Sequence, residues 1–167
     1  MKAKHTTKRD NLDIIINNLK GLSGASVEVG VLEGAHQWLA GIHEYGCDIR
    51  VTDKMRAFLH YNGLHLSPNT TVIHIPERSF LRTGHDANID TVLEKASRAI
   101  GQVIEGKMSK QQYLDLIGQQ LATKIKEYAV QLSSPPNHPF TVERKGSSNP
   151  LVSTGDLIGG ITWRTED

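Results

Sequence analysis

The chain has 167 residues, which is the size of one ordinary domain and leaves little room for a second independent core. Its 19 Lys+Arg and 18 Asp+Glu give a formal net charge of +1, so the composition shows neither the basic excess of a typical nucleic-acid binder nor an acidic solvating tail. The 38% of hydrophobic residues is enough for a core, and the 5% of aromatic residues predicts that this core is mainly aliphatic. We expect a single domain over residues 1–167.

Two features of the sequence bear on the cellular compartment, namely its single cysteine and the shortness of its N-terminal apolar run. Cys47 is the only cysteine, which excludes an intrachain disulfide and a four-thiolate metal site. The apolar run at residues 14–16 is too short for a signal sequence or a membrane span. Lysine and arginine recur through residues 1–10, which we predict to be a basic N-terminal arm. We therefore expect a soluble protein made in the cytoplasm, with no membrane contact.

Short helices and strands alternate through the first half of the chain. Apolar residues at intervals of three and four predict helices at residues 10–20, 35–45 and 54–61. Alternating or β-branched apolar residues predict strands at residues 26–32, 47–51 and 70–75. In the second helix Trp38, Leu39, Ile42 and Tyr45 share one face, so we expect that face to lie on the core.

Two long helices follow, at residues 89–104 and 110–132, where the apolar residues keep helical spacing. Ser109 and Gln112 have the spacing of a capping box, which marks the start of the second long helix. So short a break between two helices predicts a helical hairpin, packed face to face or over a sheet.

The region after the long helices changes character. Residues 133–149 contain Pro135, Pro136, Pro139 and Gly146 without sustained periodicity, and we predict an extended, mobile loop. Beyond this loop, Thr154 is predicted to cap a short turn at residues 156–158, and residues 161–164 are predicted to form a closing strand.

Spacing tests give no metal site and no cofactor. His43 and Glu44 resemble the start of a zinc-protease helix, but the second histidine of that motif would fall at position 47, which is Cys47. His36 lies on the same predicted helix face as His43 but two turns away, too far for one ion. The sequence also has no Gly-x-Ser-x-Gly elbow and no glycine-rich phosphate loop. We expect no metal, cofactor or catalytic residue; the alternative is a small hydrolase or nucleic-acid-processing enzyme that uses His43, Glu44 and Cys47.

Three segments together resemble the signatures of a known family. They are residues 43–46 (His43, Glu44, Tyr45, Gly46), residues 75–82 (with Ile75, Pro76, Phe80, Leu81, Arg82) and residues 150–157 (with Thr154, Gly155, Leu157). In these segments the chain is similar to the small neck proteins of long-tailed bacteriophages, which are called tail-completion or head-tail joining proteins. Residues 51–66 resemble an insertion that some members carry. Glu77 and Ser79 stand where the family more often has a small residue and proline.

The resemblance implies an α+β fold in which two long antiparallel helices pack on a small, curved, mainly antiparallel sheet. We expect this sheet to contain residues 27–32, 71–75 and 161–163. The resemblance also implies a structural virion protein without enzymatic activity, made in the bacterial host. It would form a homo-oligomeric ring at the phage neck or tail top and contact other neck, connector and tail proteins.

The loop and the basic arm match no motif of that family, so their roles rest on the residues alone. We interpret residues 133–149 as an assembly loop that becomes ordered against neighbouring subunits. Phe140, Arg144 and Lys145 are its candidate contacts with a partner or with genomic DNA in the channel. A monomeric DNA-binding module is a third hypothesis, and it predicts strongly salt-dependent affinity for free DNA.

Overall fold

The structure is a computed structural model that describes residues 12–34 and 36–166. The basic arm at residues 1–10, the first residues of the helix predicted at 10–20 and Ala35 lie outside the described residues. The fold is α+β, as predicted. In chain order its elements are α1 (Leu12–Leu22), β1 (Ser26–Gly30), α2 (His36–Tyr45), β2 (Cys47–Arg50), α3 (Asp53–Tyr61), β3 (Val72–Ile75), α4 (Phe80–Asp86), α5 (Ile89–Ile104), α6 (Lys110–Gln131), α7 (Pro139–Lys145), α8 (Asp156–Gly159) and β4 (Thr162–Glu166).

The two long helices, α5 and α6, pack against each other as a helical hairpin. The predicted capping box at the start of α6 is confirmed. The Ser109 hydroxyl accepts the backbone N–H of Gln112 at 3.1 Å, and the Gln112 side chain accepts the backbone N–H of Ser109 at 2.9 Å. Two donors that the first turn of a helix leaves without partners are thereby satisfied.

Helix α6 carries the core. One of its faces contributes Leu121, Ala122, Ile125 and Ala129 to a cluster with α4, α8 and the first residue of the closing segment, Ile161. Nearer its start, Tyr113 and Leu114 pack with α5 in a second cluster, and Ile117 packs against both. Both clusters are mainly aliphatic, as the composition predicts.

The strands form two separate antiparallel pairs. β1 pairs with β4, with Ser26 opposite Glu166 and Gly30 opposite Thr162, and this pair packs on α6. β2 pairs instead with β3, with Cys47 opposite Ile75. The prediction that residues 71–75 join the sheet of residues 27–32 is therefore wrong. Because β3 returns beside β2, the two strands satisfy each other's backbone groups and form a sheet of their own.

The structure contains two short helices that the sequence analysis missed. α4 follows directly after the motif residues Pro76 and Ser79 and is only seven residues long, too short for a periodic signal. α7 lies inside the region predicted as an extended loop, so that prediction is wrong for residues 139–145. Its signals were Pro139 in the first turn and Gly146 at the C-cap, where φ is +67°.

Helix α2 is rotated relative to the prediction. It buries Ala40 and Glu44, and His36 and His43 lie on this inner side, half-buried. Trp38 and Tyr45, predicted to lie on the core, are 74% and 68% exposed. Apolar spacing identified the helix correctly but chose the wrong face, because a buried carboxylate determines which side of α2 points inward.

The packing of β4 on α6 depends on a glycine, which gives the first prediction. A Cβ atom on Gly118 would lie 2.4 Å from Cδ1 of Trp163, whose indole N–H donates to Asp115 at 3.1 Å. We expect Gly118→Ala to lower the free energy of unfolding by about 1–3 kcal/mol, through overpacking, in urea titrations. Gly101→Ala is the control: in α5 a Cβ at this position meets nothing within 4 Å, and we expect a gain of about 0.5–1 kcal/mol. If Gly118→Ala were as stable as the parent, the close packing of Trp163 on Gly118 would be contradicted.

Candidate functional site

The carboxylate of Glu44, which is 3% exposed, lies at the start of α4. Its Oε2 accepts the backbone N–H of Leu81 at 2.8 Å, and its Oε1 accepts the backbone N–H of Arg82 at 3.0 Å. Oε1 also accepts the Ser79 hydroxyl at 3.2 Å. A side chain of α2 therefore caps α4, whose own N-cap residue, Ser79, makes no capping bond. The negative charge also stabilises the positive end of the helix dipole. We call this arrangement the Glu44 cap.

Arg82 binds the Glu44 cap from the solvent side. Its Nε donates to Glu44 Oε1 at 2.9 Å, and its Nη2 donates to the Glu44 carbonyl at 3.1 Å and to Glu77 at 2.6 Å. The guanidinium carbon lies 4.9 Å from the centre of the Tyr45 ring, a cation–π contact. The hydrogen bond with Glu44 raises the pKa of Arg82 above its ordinary value. The first two sequence motifs thus meet through one charged pair.

Gly46 brings the same two motifs into backbone contact. Its φ is +72°, and a Cβ atom would lie 2.8 Å from the Ile75 carbonyl oxygen and 2.9 Å from the Glu77 nitrogen. No other residue fits here, because both the backbone conformation and the space require glycine. Gly46 lies between the last residue of α2 and the first residue of β2. That first residue, Cys47, pairs with Ile75 at the end of β3. Pro76 follows and ends the pairing.

Arg78 connects this site to the region predicted as an assembly loop. The side chain is 4% exposed, and its backbone N–H donates to the His43 carbonyl at 2.7 Å. Its guanidinium donates to the carbonyls of Pro135 and Pro136 at 2.7 and 3.0 Å and to the Asn137 side chain at 3.2 Å. Within residues 12–34 and 36–166, no carboxylate pairs with it, and burial lowers its pKa. The start of the 133–149 segment is therefore held by a buried cation.

Residues 150–157, the third of the segments that resemble the neck-protein family, pack beside α2. Gly155, at φ +93°, is the N-cap residue of α8, and Leu157 is buried in the first core cluster. The prediction that Thr154 is the cap is wrong. Its hydroxyl donates to the Asp156 carboxylate at 2.5 Å instead, because the left-handed turn at Gly155 displaces Thr154 from the helix start.

A cavity of about 230 Å³ lies between α2 and residues 150–157. Its lining includes His36, Leu39, His43, Lys145, Leu151 and Asp156. Burial, together with the charges of Arg78 and Lys145, lowers the pKa of His43 to about 4, so the imidazole is neutral at pH 7. Its Nδ1 is buried without a hydrogen-bond partner.

The residues of the hydrolase alternative do not form a catalytic arrangement. Both Glu44 oxygens are occupied by the donors of the cap. Cys47 is half-buried at the start of β2. No hydrogen bond between described residues joins the side chains of His43, Glu44 and Cys47, although a nucleophile and its base need such contact.

The candidate partner contacts of α7 differ in exposure. Arg144 is exposed, stacks over the Phe140 ring at 5.6 Å and donates to the Asn62 side chain at 2.7 Å. Lys145 points inward and donates to the carbonyls of Asn149 and Pro150 at 3.1 and 3.2 Å. Only Arg144 of the two basic residues is therefore placed at the surface.

The chain between the first two motifs forms an arm, which we define as residues 47–75 (β2, α3 and β3). No residue of the arm is buried. Its loop is ordered by Arg56, which donates to the carbonyls of Ser67 and Thr70 at 2.9 and 2.6 Å. Phe58 and Tyr61 are 61% and 90% exposed. The arm thus presents aromatic side chains to solvent.

Comparison of the chain with protein-family models, with curated proteins and with solved structures finds no match. Among residues 12–34 and 36–166 there is no cluster of three or more His, Cys, Asp or Glu side chains that could hold a metal ion. In the same part of the chain, no helix combines the length and the apolar character needed to cross a membrane.

Removing the carboxylate of the Glu44 cap is the second prediction. Glu44→Gln replaces two acceptor oxygens by one and places an amide donor against backbone N–H groups. We expect it to lower the free energy of unfolding by about 2–3 kcal/mol, measured in urea. Glu94→Gln, which breaks an exposed pair with Arg98 in α5, is the control and should change stability by less than about 1 kcal/mol. Equal effects of the two variants would show that the cap is not structural.

The pH dependence of stability is the third prediction. The pKa of His43 is about 4 in the folded chain against 6.5 for an ordinary histidine, so the unfolded chain binds the proton first as the pH falls. The contribution of His43 to the free energy of unfolding is therefore expected to be complete above pH 6.5 and to be lost as the pH falls from 6.5 to about 4. We expect His43→Gln to flatten this part of the unfolding profile, whereas the exposed His65→Gln variant keeps the parent's slope. Parallel profiles for the parent and His43→Gln would contradict the assignment.

Proposed function

We propose that this protein is a structural subunit of a long-tailed bacteriophage, which assembles as a ring at the neck or tail top. There it completes the tail or joins it to the DNA-filled head, in contact with connector and tail proteins. The three sequence segments that resemble the neck-protein family support this proposal, because they meet around α2 in the folded chain.

The observation that carries the proposal is the exposed arm. An extension of this length without one buried residue contributes no core to the subunit. Its Phe58 and Tyr61, with Trp38 and Tyr45 on the neighbouring helix α2, are large aromatic side chains left in water. Exposed aromatic residues are typical of a protein interface, where Trp and Tyr dominate the binding energy. Head-to-tail contacts of this kind close into a ring when the rotation between subunits permits it.

The base of the arm is fixed, which suits a role in assembly. Gly46 and Pro76, at the two ends of the arm, lie next to the Glu44 cap and the buried Arg78. A contact made by the arm is therefore made by a preorganised element, and less free energy is lost in ordering it on association.

The alternative of a hydrolase has less support, because the donors around Glu44 leave it no role as a base. Non-specific contact with DNA in the channel remains part of the proposal and rests on Arg144, which is exposed on α7. Lys145 is directed to backbone carbonyls, so we assign it no contact with phosphate.

The fourth prediction tests the arm as the assembly surface. We expect the double variant Phe58→Ser, Tyr61→Ser to fold with an unchanged melting temperature, because both side chains are exposed. Loss of two interface aromatics, each worth about 2 kcal/mol or more, should weaken subunit association by about 700-fold or more. Native mass spectrometry measures the ring, and electron microscopy of particles made with the variant measures unjoined heads and tails.

The control is Leu93→Ser, which removes an exposed apolar side chain from α5, far from the arm in the chain. It should leave both the ring and the particles intact. Normal particles from the double variant would exclude the arm as the assembly surface. Particles that contain none of this chain would overturn the proposed function itself.

A further inference from the structure

We propose that the cavity between α2, α7 and α8 is a binding site for a small free carboxylate, such as a short-chain acid. This cavity, which we call the α2–α8 cavity, has a volume of about 230 Å³ and lies apart from the exposed arm. The inference concerns ligand binding and does not depend on the proposed role in assembly.

Lys145 supplies the charge that would bind the carboxylate. Its ammonium group has three N–H donors, and two of them are bonded to the carbonyls of Asn149 and Pro150. Among the described residues no carboxylate pairs with Lys145. One donor of a half-buried cation in the cavity wall is therefore left for an anion, and burial lowers the pKa of this group.

His43 lies in the same cavity wall as Lys145. Its Nδ1 has no hydrogen-bond partner but is shielded from solvent, so it offers no contact to a ligand in the cavity. Arg78 adds a further positive charge near the imidazole. The two cations, Lys145 and Arg78, favour an oxyanion as the ligand.

The rest of the cavity wall decides which oxyanion fits. Leu39, Leu151 and Leu157 line it, so the ligand needs an apolar body beside its charged group. The volume is large enough for several water molecules and thus for an acid of a few carbons. Asp156 also lines the cavity, and its charge opposes any anion, but it opposes the single charge of a carboxylate less than the higher charge of phosphate. Phosphate also has no apolar part to lie against the leucines.

The ionisable groups around the imidazole define a signature of binding. They are His36 on α2, Arg78 before α4, Lys145 on α7 and Asp156 on α8. An anion beside His43 favours the protonated imidazole, so carboxylate binding must raise the pKa of His43 from about 4. By linkage, protonation of His43 tightens the binding of the carboxylate over the pH range in which the ligand itself stays ionised.

The fifth prediction is tested by titrating the parent protein with butyrate and with butyramide, its neutral isostere, while the His43 imidazole is observed by ¹⁵N NMR. We expect butyrate to raise the pKa of His43 in a saturable manner and butyramide to leave it unchanged. Inorganic phosphate, added in a separate titration, should bind at least about tenfold more weakly than butyrate.

Lys145→Gln removes the cation and should weaken butyrate binding by about tenfold or more, as expected for a hydrogen bond to a charged group. The matched control is Lys54→Gln, an exposed lysine on α3, which should bind butyrate like the parent. If Lys145→Gln does not fold, the comparison of butyrate with butyramide on the parent decides alone. Equal shifts with the two compounds, an unaffected Lys145→Gln variant, or tighter binding of phosphate would each overturn the proposal.

Discussion

The buried carboxylate of Glu44 is the interaction on which the rest of the structure depends. Taking a charge out of water costs several kcal/mol, and only well-placed donors offset that cost. The backbone of Leu81 and Arg82, the Ser79 hydroxyl and the Arg82 side chain supply those donors. They all come from the segment around the start of α4, so α2 and α4 must lie together for either to be stable. The positions of Gly46, which precedes the arm, and of Ile75, which ends it, are fixed as a consequence.

The same carboxylate explains the aromatic surface. Because α2 must turn Glu44 inward, two residues of its apolar face, Trp38 and Tyr45, turn to solvent. Hydrophobic burial alone favours the opposite orientation, at about 1.5–3 kcal/mol for each large side chain. The orientation observed therefore gives up apolar burial within the subunit. Under the proposed role in assembly, that loss would be recovered when another protein covers Trp38 and Tyr45, which would link the geometry of the cap to assembly.

How much the sequence could predict varies with the origin of each element. α5, α6 and β1 bury a face that repeats with the period of the element, so apolar spacing was sufficient to find them. Strand pairing carries no such local signal, and β3 was assigned to the wrong sheet. α4 depends on a cap supplied by Glu44, and the acceptors of Arg78 lie in residues 135–137, far away in the sequence. The motif resemblance indicated that His43–Gly46 and residues 75–82 matter, but only the fold shows their contact.

The site has two electrostatic halves, the Glu44 cap and the α2–α8 cavity. In the cap the negative charge of Glu44 is matched by backbone donors and by Arg82, and every part of this arrangement is occupied. Around the cavity Arg78 and Lys145 are bonded only to neutral acceptors, and burial together with their charges lowers the pKa of His43 to about 4. Carbonyl dipoles solvate a cation but do not neutralise it, so the cavity keeps the positive charges of Lys145 and the nearby Arg78 against the single negative charge of Asp156. The first half can therefore only support the fold, whereas the second half retains the capacity to bind an anion.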